Sequence, residues 1–182
     1  NGRLGAMVFG IPAFDRLQLN EETVWAGQPN TNANPDIRDG VLDEIRQLIF
    51  DGKYRQAQDM VDRDIFFPVN QGMSYQTVGD LFMDFPGHES YTDYRRELDI
   101  ANAVTKVSYK VDGVEYCREV FSSLTDDVVV MNISASEKGR ISFEASLTSP
   151  LRHETVSEDG ILVMRGISGD QEGLEGKVEF TT

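Results

Sequence analysis

Ile141-Ser142-Phe143-Glu144-Ala145-Ser146-Leu147-Thr148 alternates apolar and polar side chains without a break. Because successive side chains of an extended chain point to opposite sides, this period of two places one face of a strand in a core and the other in water. From Gly79 onward the same period governs Leu81 to Phe85, Val107 to Val111, Val114 to Phe121, Val128 to Ile133 and Ile161 to Met164. Asp112-Gly113 and Asp159-Gly160 separate neighbouring runs. Both are two-residue turns of the kind that closes tight hairpins, since glycine accepts positive φ without strain. Many short strands punctuated in this way predict a mainly β fold, an antiparallel β-sandwich.

Before Gly79 the pattern differs. Leu4 to Phe9 and Asp15 to Asn20, joined by a Gly10-Ile-Pro-Ala turn, read as a hairpin. Asn34-Pro35 then offers an N-cap followed by a proline suited to a first helical turn, and Ile37, Val41, Leu42, Ile45, Leu48 and Ile49 recur at helical spacing up to Gly52. A second helix runs from Lys53 with Tyr54, Ala57, Met60 and Val61 on one face, and Pro68 lies beyond its end. The expectation is a helical hairpin at about residues 35–63 inserted between strands. No low-complexity linker or solenoid repeat divides the chain, so residues 1–182 read as a single β-sandwich domain. Asn1 and the strand-like Lys177 to Thr182 both read as cut ends.

Composition narrows the function classes. A length of 182 residues, 40% hydrophobic and 26% charged, is ordinary globular material that buries a real core. The net charge of -14 repels phosphate backbones and anionic lipid, and no run approaches a membrane span, so neither nucleic acid nor membrane is an expected partner. Neutral sugars remain compatible. Cys117 is the sole cysteine, which excludes an internal disulfide and a thiolate metal cluster.

The inventory for catalysis is thin. His88 and His153 have no ligand-spaced neighbours and read as surface residues; no metal and no cofactor is expected. There is no P-loop, no G-x-S-x-G elbow and no dinucleotide fingerprint, because Asn1-Gly-Arg-Leu-Gly5 precedes a strand rather than a helix. Glu21 and Glu22 form a tempting carboxylate pair, but neighbours on a strand face opposite ways, and glycoside hydrolysis needs two acids aimed at one bond. Asp126-Asp127 reads as a turn and Arg95-Arg96 as a solvated strand start, where an alternating Arg could pair with Asp93 or Glu97.

Trp25 stands out as the only tryptophan, between Leu19-Asn-Glu-Glu-Thr23 and the polar stretch Ala26 to Asn32. Indole stacks on sugar C–H faces, while amides and carboxylates bond hydroxyls, so Trp25, Asn20 and Glu22 form a candidate carbohydrate contact. The competing reading makes Trp25 a plug for the sandwich core.

Seven blocks in order carry a resemblance: Asn1-Gly-Arg-Leu-Gly-Ala-Met7, Gln18-Leu-Asn-Glu-Glu-Thr-Val-Trp25-Ala-Gly27, Asn34-Pro35, Glu44-Ile-Arg-Gln-Leu-Ile49, Tyr75-Gln-Thr-Val-Gly-Asp-Leu81, Asp93-Tyr-Arg-Arg-Glu-Leu-Asp99 and Arg118-Glu-Val-Phe-Ser-Ser123. Together they resemble the N-terminal domain of glycoside hydrolase family 95, whose best-known members are α-L-fucosidases acting on terminal α-1,2-linked fucose. Val24, Ala26 and Cys117 depart from the residues usual there, Leu, Ser and Thr. The resemblance implies a β-sandwich like that ahead of the family 65 phosphorylases. It also implies a linked (α/α)6 barrel holding the groups for inverting hydrolysis, so no catalytic residue is assigned to this chain. A fucosylated oligosaccharide would be the ligand of the whole enzyme, which the family places outside the cell or in the periplasm. An autonomous carbohydrate-binding module and a parent enzyme acting on galactosides are the alternatives; a module would present several exposed aromatics on one face, whereas the tyrosines and phenylalanines here read mostly as alternating core positions.

Overall fold

A computed structural model describes residues 1–28, 37–66 and 72–182. Their chain order is β1 (Leu4–Val8), β2 (Phe14–Glu21), α1 (Val41–Phe50), α2 (Tyr54–Asp64), β3 (Gly79–Asp84), β4 (Thr92–Asp99), β5 (Val104–Val111), β6 (Val114–Ser122), β7 (Val129–Ala135), β8 (Glu144–Thr148), β9 (Arg152–Glu158), β10 (Ile161–Ile167) and β11 (Glu179–Thr181). The strands form three antiparallel sheets, ordered β1-β2-β3-β8, β4-β5-β6-β7 and β11-β10-β9. The fold is thus mainly β and sandwich-like. Asp112-Gly113 closes the β5–β6 hairpin and Asp159-Gly160 the β9–β10 hairpin, both Asp and Gly with φ between 48° and 84°.

The first sheet supplies the floor on which the other two lie. Leu17 of β2, Met83 of β3 and the following Phe85 pack against Val120 of β6, with Val129, Met131 and Ile133 of β7 at the margin. Farther along the same face, Leu19 and Leu147 join Val24, Val78 and Leu151 around Met164 of β10 and Phe180 of β11. Leu19 belongs to both clusters, so the second and third sheets sit side by side over one face. Each fully buried large side chain here contributes about 1.5–3 kcal/mol of transfer free energy. The outer face of β4–β6 is instead a lattice of cross-strand ion pairs, Lys110 with Asp93 and Glu115 at 3.0 and 3.1 Å and Lys106 with Glu119 at 3.3 Å.

Four sequence expectations require correction. The Asn34-Pro35 cap lies outside the described residues, and the helix begins only at Val41: Gly40, at φ 79°, adopts a left-handed conformation that interrupts helical winding, leaving Ile37 outside and exposed. The two helices do form a hairpin, packed through Val41, Ile45 and Ala57 with Leu48, Met60, Val61 and Ile65.

The alternating face of residues 141–148 is the second correction. The strand starts at Glu144, and Ile141, Phe143 and Ala145 are exposed, because β8 is an edge strand and only Leu147 reaches the clustered core. Third, Arg95 and Arg96 lie within β4 rather than at its start, with a register shift between Thr92 and Arg95; Arg95 pairs with Glu97 and Arg96 donates to the Phe9 carbonyl. Fourth, the aromatic side chains mostly avoid the core. Tyr109, Tyr116 and Phe85 are buried, whereas Tyr54, Tyr75, Tyr91, Tyr94, Phe14, Phe50, Phe66, Phe121 and Phe143 are exposed.

Candidate functional site

The segment after β2 is held from both sides. β2 ends at Glu21, and Val24 turns inward to full burial, fixing the direction of the residues around it. Main-chain bonds run from Ala26 N to Ser74 O at 2.9 Å and from Gln76 N to Val24 O at 2.9 Å, so Trp25 and Tyr75 form an isolated antiparallel bridge. Gly27 donates to Gly169 O at 2.8 Å and accepts from Lys177 N at 2.9 Å. A loop so pinned presents its side chains in fixed positions.

Trp25 is 45% exposed and therefore does not plug the core; its inward neighbour Val24 does that instead. The indole Nε1 donates to the Glu22 carbonyl at 2.8 Å, which locks the ring's orientation. Its partner is Tyr75, 47% exposed, with ring centroids 5.4 Å apart at 63°, an edge-to-face pair. Two exposed rings and the polar groups around them make a surface suited to stacking a neutral ring. Tyr75 lies fifty positions from Trp25 in sequence, so nothing local announced it.

The other two predicted site residues stand differently. Glu22 is exposed in the turn and is tied to Trp25 through its backbone. Asn20 is half-buried on β2, opposite Gly5 of β1, and no hydrogen bond among the described residues joins it to Trp25 or Glu22. Glu21 is committed to structure: Oε1 accepts from Arg3 Nε at 2.9 Å and Oε2 from Thr23 N at 2.8 Å. Burial pushes its acidity toward the neutral form, but the Thr23 and Arg3 bonds outweigh burial and hold its pKa below the usual value. Glu21 and Glu22 therefore do not form a hydrolytic pair, and no group of three or more His, Cys, Asp or Glu among the described residues is arranged to hold a metal.

A second cluster went unseen in the sequence. Arg118, on the inner face of β6, is fully buried and meets buried Asp15 of β2 at 2.9 Å. Its Nη1 also donates to Ile11 O at 3.0 Å, its Nη2 to Pro12 O and to the Tyr109 hydroxyl, both at 2.6 Å, and its guanidinium lies 3.7 Å from the Phe85 ring centre. Asp15 Oδ1 in turn accepts from the backbone of Gly10, Ile11 and Arg16 at 2.7 to 3.2 Å. Burial pushes the Tyr109 phenol up to about 12, so it remains a neutral donor.

His88 is buried at 6% exposure, contrary to the expected surface position, with Nδ1 2.9 Å from that phenol. Burial, aided by the Arg118 cation, lowers its pKa, and the imidazole and the phenol share this hydrogen bond inside the cluster. His153 is exposed as expected. With every polar partner sequestered under the Gly10–Ala13 turn, this cluster is a clasp between sheets and offers substrate no access.

Comparison with known proteins identifies the family to which this fold belongs. The family model described as glycosyl hydrolase family 65, N-terminal domain, matches residues 1–181. Alpha-L-fucosidase 2 of Arabidopsis thaliana is 39% identical over 171 residues, covering 91% of this chain and 20% of its own length. Probable alpha-fucosidase A of Aspergillus niger is 31% identical over 159 residues, 82% of this chain and 19% of its own. That of Aspergillus oryzae is 24% identical across 100% of the chain and 25% of its own length. The chain thus spans about a fifth to a quarter of the curated relatives it matches. It belongs to the family of glycosyl hydrolase family 65 N-terminal domains.

Proposed function

We propose that this chain is the accessory N-terminal sandwich of an inverting α-L-fucosidase of the family 95 type, which cleaves terminal α-1,2-fucosyl linkages in a helical barrel encoded beyond residue 182. The 39% identity to a protein named alpha-L-fucosidase 2 is the observation that carries the reading.

In this reading the Trp25–Tyr75 pair rims the barrel mouth, with Glu22 and Asn20 beside it. An exposed stacked aromatic contributes about 0.5–1.5 kcal/mol, so Trp25→Ala in the full-length gene product raises KM for a fucosylated oligosaccharide up to about tenfold. Fold stability should change little, because the ring is half exposed. Unchanged kcat and KM would remove Trp25 from the substrate path.

Exposed aromatics such as Trp25, Tyr75, Tyr91 and Tyr94 favour a second reading, a carbohydrate-binding module acting alone. Calorimetry of the 182-residue chain against fucosylated oligosaccharides separates the two: heat of binding supports the module, silence the accessory role. A galactoside substrate is distinguished by assaying both glycosides with the full-length product.

A further inference from the structure

The second layer of the sandwich is split. β7 ends one of its sheets and β11 the other, and among the described residues β7 is paired only with β6 and β11 only with β10. Between these two edges lies a cleft of about 600 Å³. Its floor is Leu17 and Leu19 of β2 with Leu81 of β3, and its walls include Met131 of β7 and Phe180 of β11. Water over an apolar floor is unfavourable, and two unpaired strand edges leave rows of backbone N–H and C=O groups seeking partners. A slot with an apolar base and hydrogen-bonding sides has the chemistry of one extended strand with alternating side chains.

We propose that this slot receives a β-strand from the polypeptide that follows residue 182, joining the two sheets of the second layer into one. Two observations choose that occupant over a second copy. β11 and Thr182 themselves line the cleft, with Thr182 held by reciprocal main-chain bonds to Met164 at 2.8 and 2.9 Å, so the following residues emerge beside the slot. The curated relatives are also four to five times longer than the part they share with this chain. The inserted strand turns apolar side chains onto the partly buried Leu19 and Leu81 and polar ones to solvent. The proposal rests on the chain being part of a longer enzyme, but not on which sugar that enzyme cleaves.

The test uses the full-length gene product. Hydrogen exchange of the β7 and β11 amides should be at least about tenfold slower than expected for open sheet edges and similar to that of interior β5. Val129→Cys, introduced with Cys117→Ser, should cross-link to a residue beyond 182. Freely exchanging β7 and β11 amides would overturn the proposal. So would cross-links confined to residues 1–182 or made to a second copy. A product that cleaves fucosides while both edges exchange freely would leave the hydrolase reading intact and remove only the inserted strand.

Discussion

Arg118 carries its charge into a sandwich interior, and the cost of doing so is offset by partners on both terminal nitrogens, the Asp15 carboxylate, two carbonyls of the Gly10–Ala13 turn and the Tyr109 phenol, while the buried Nε has no hydrogen-bond partner among the described residues. A buried pair of this kind adds little over an apolar replacement, but removing one partner strands the other. Asp15→Ala should therefore cost about 3–5 kcal/mol in denaturant unfolding, while Asp15→Leu combined with Arg118→Met should cost clearly less than the two single changes summed. His88 adds a pH dependence. Its folded pKa lies below the ordinary value of 6.5, so the unfolded chain binds the proton more readily, and the stability due to neutral His88 is full above pH 6.5 and lost as pH falls below it. His88→Gln should flatten that acid limb in thermal melts taken across this range; an unchanged pH profile would show that the ring titrates freely. In the sequence, a lone histidine in Pro86-Gly-His-Glu89 looks like a loop residue, and only the fold brings it beneath Tyr109 and Tyr116.

At the scale of elements, the junction of β3 with β8 depends on Gly79. Its φ is 151°, and a Cβ there would collide with the Thr148 carbonyl at the end of β8. Gly79→Ala should destabilise by at least about 2 kcal/mol and speed exchange of the Gly79–Asp84 and Glu144–Thr148 amides together. Strands were legible because the period of two and the Asp-Gly turns are local signals, and the helical hairpin because its apolar spacing is. Their covering was not. Ile141, Phe143 and Ala145 have the pattern of a buried face, yet burial depends on what lies opposite, which no strand encodes by itself. The helix start was misplaced for a similar reason: Ile37 kept the apolar spacing, and the left-handed Gly40 that ends it has no periodic signature. Of the site, Trp25 was legible as an isolated aromatic amid polar residues, while Tyr75 was not, since the bridge that brings it alongside is long-range.

For the molecule as a whole, the proposed role rests on how the sandwich is built. Its buried charge is held in the Arg118–Asp15 clasp, its surface carries exposed rings such as Trp25 and Tyr75, and its second layer is open between β7 and β11. These properties suit the proposed accessory role beside an active site. Fucose release from an α-1,2-fucosylated oligosaccharide, measured side by side for the 182-residue chain and the full-length gene product, tests that account most directly. The full-length product should release fucose with inverted anomeric configuration and the 182-residue chain should release none. Turnover by the 182-residue chain alone, or failure of the full-length product to act on any fucoside, would contradict it.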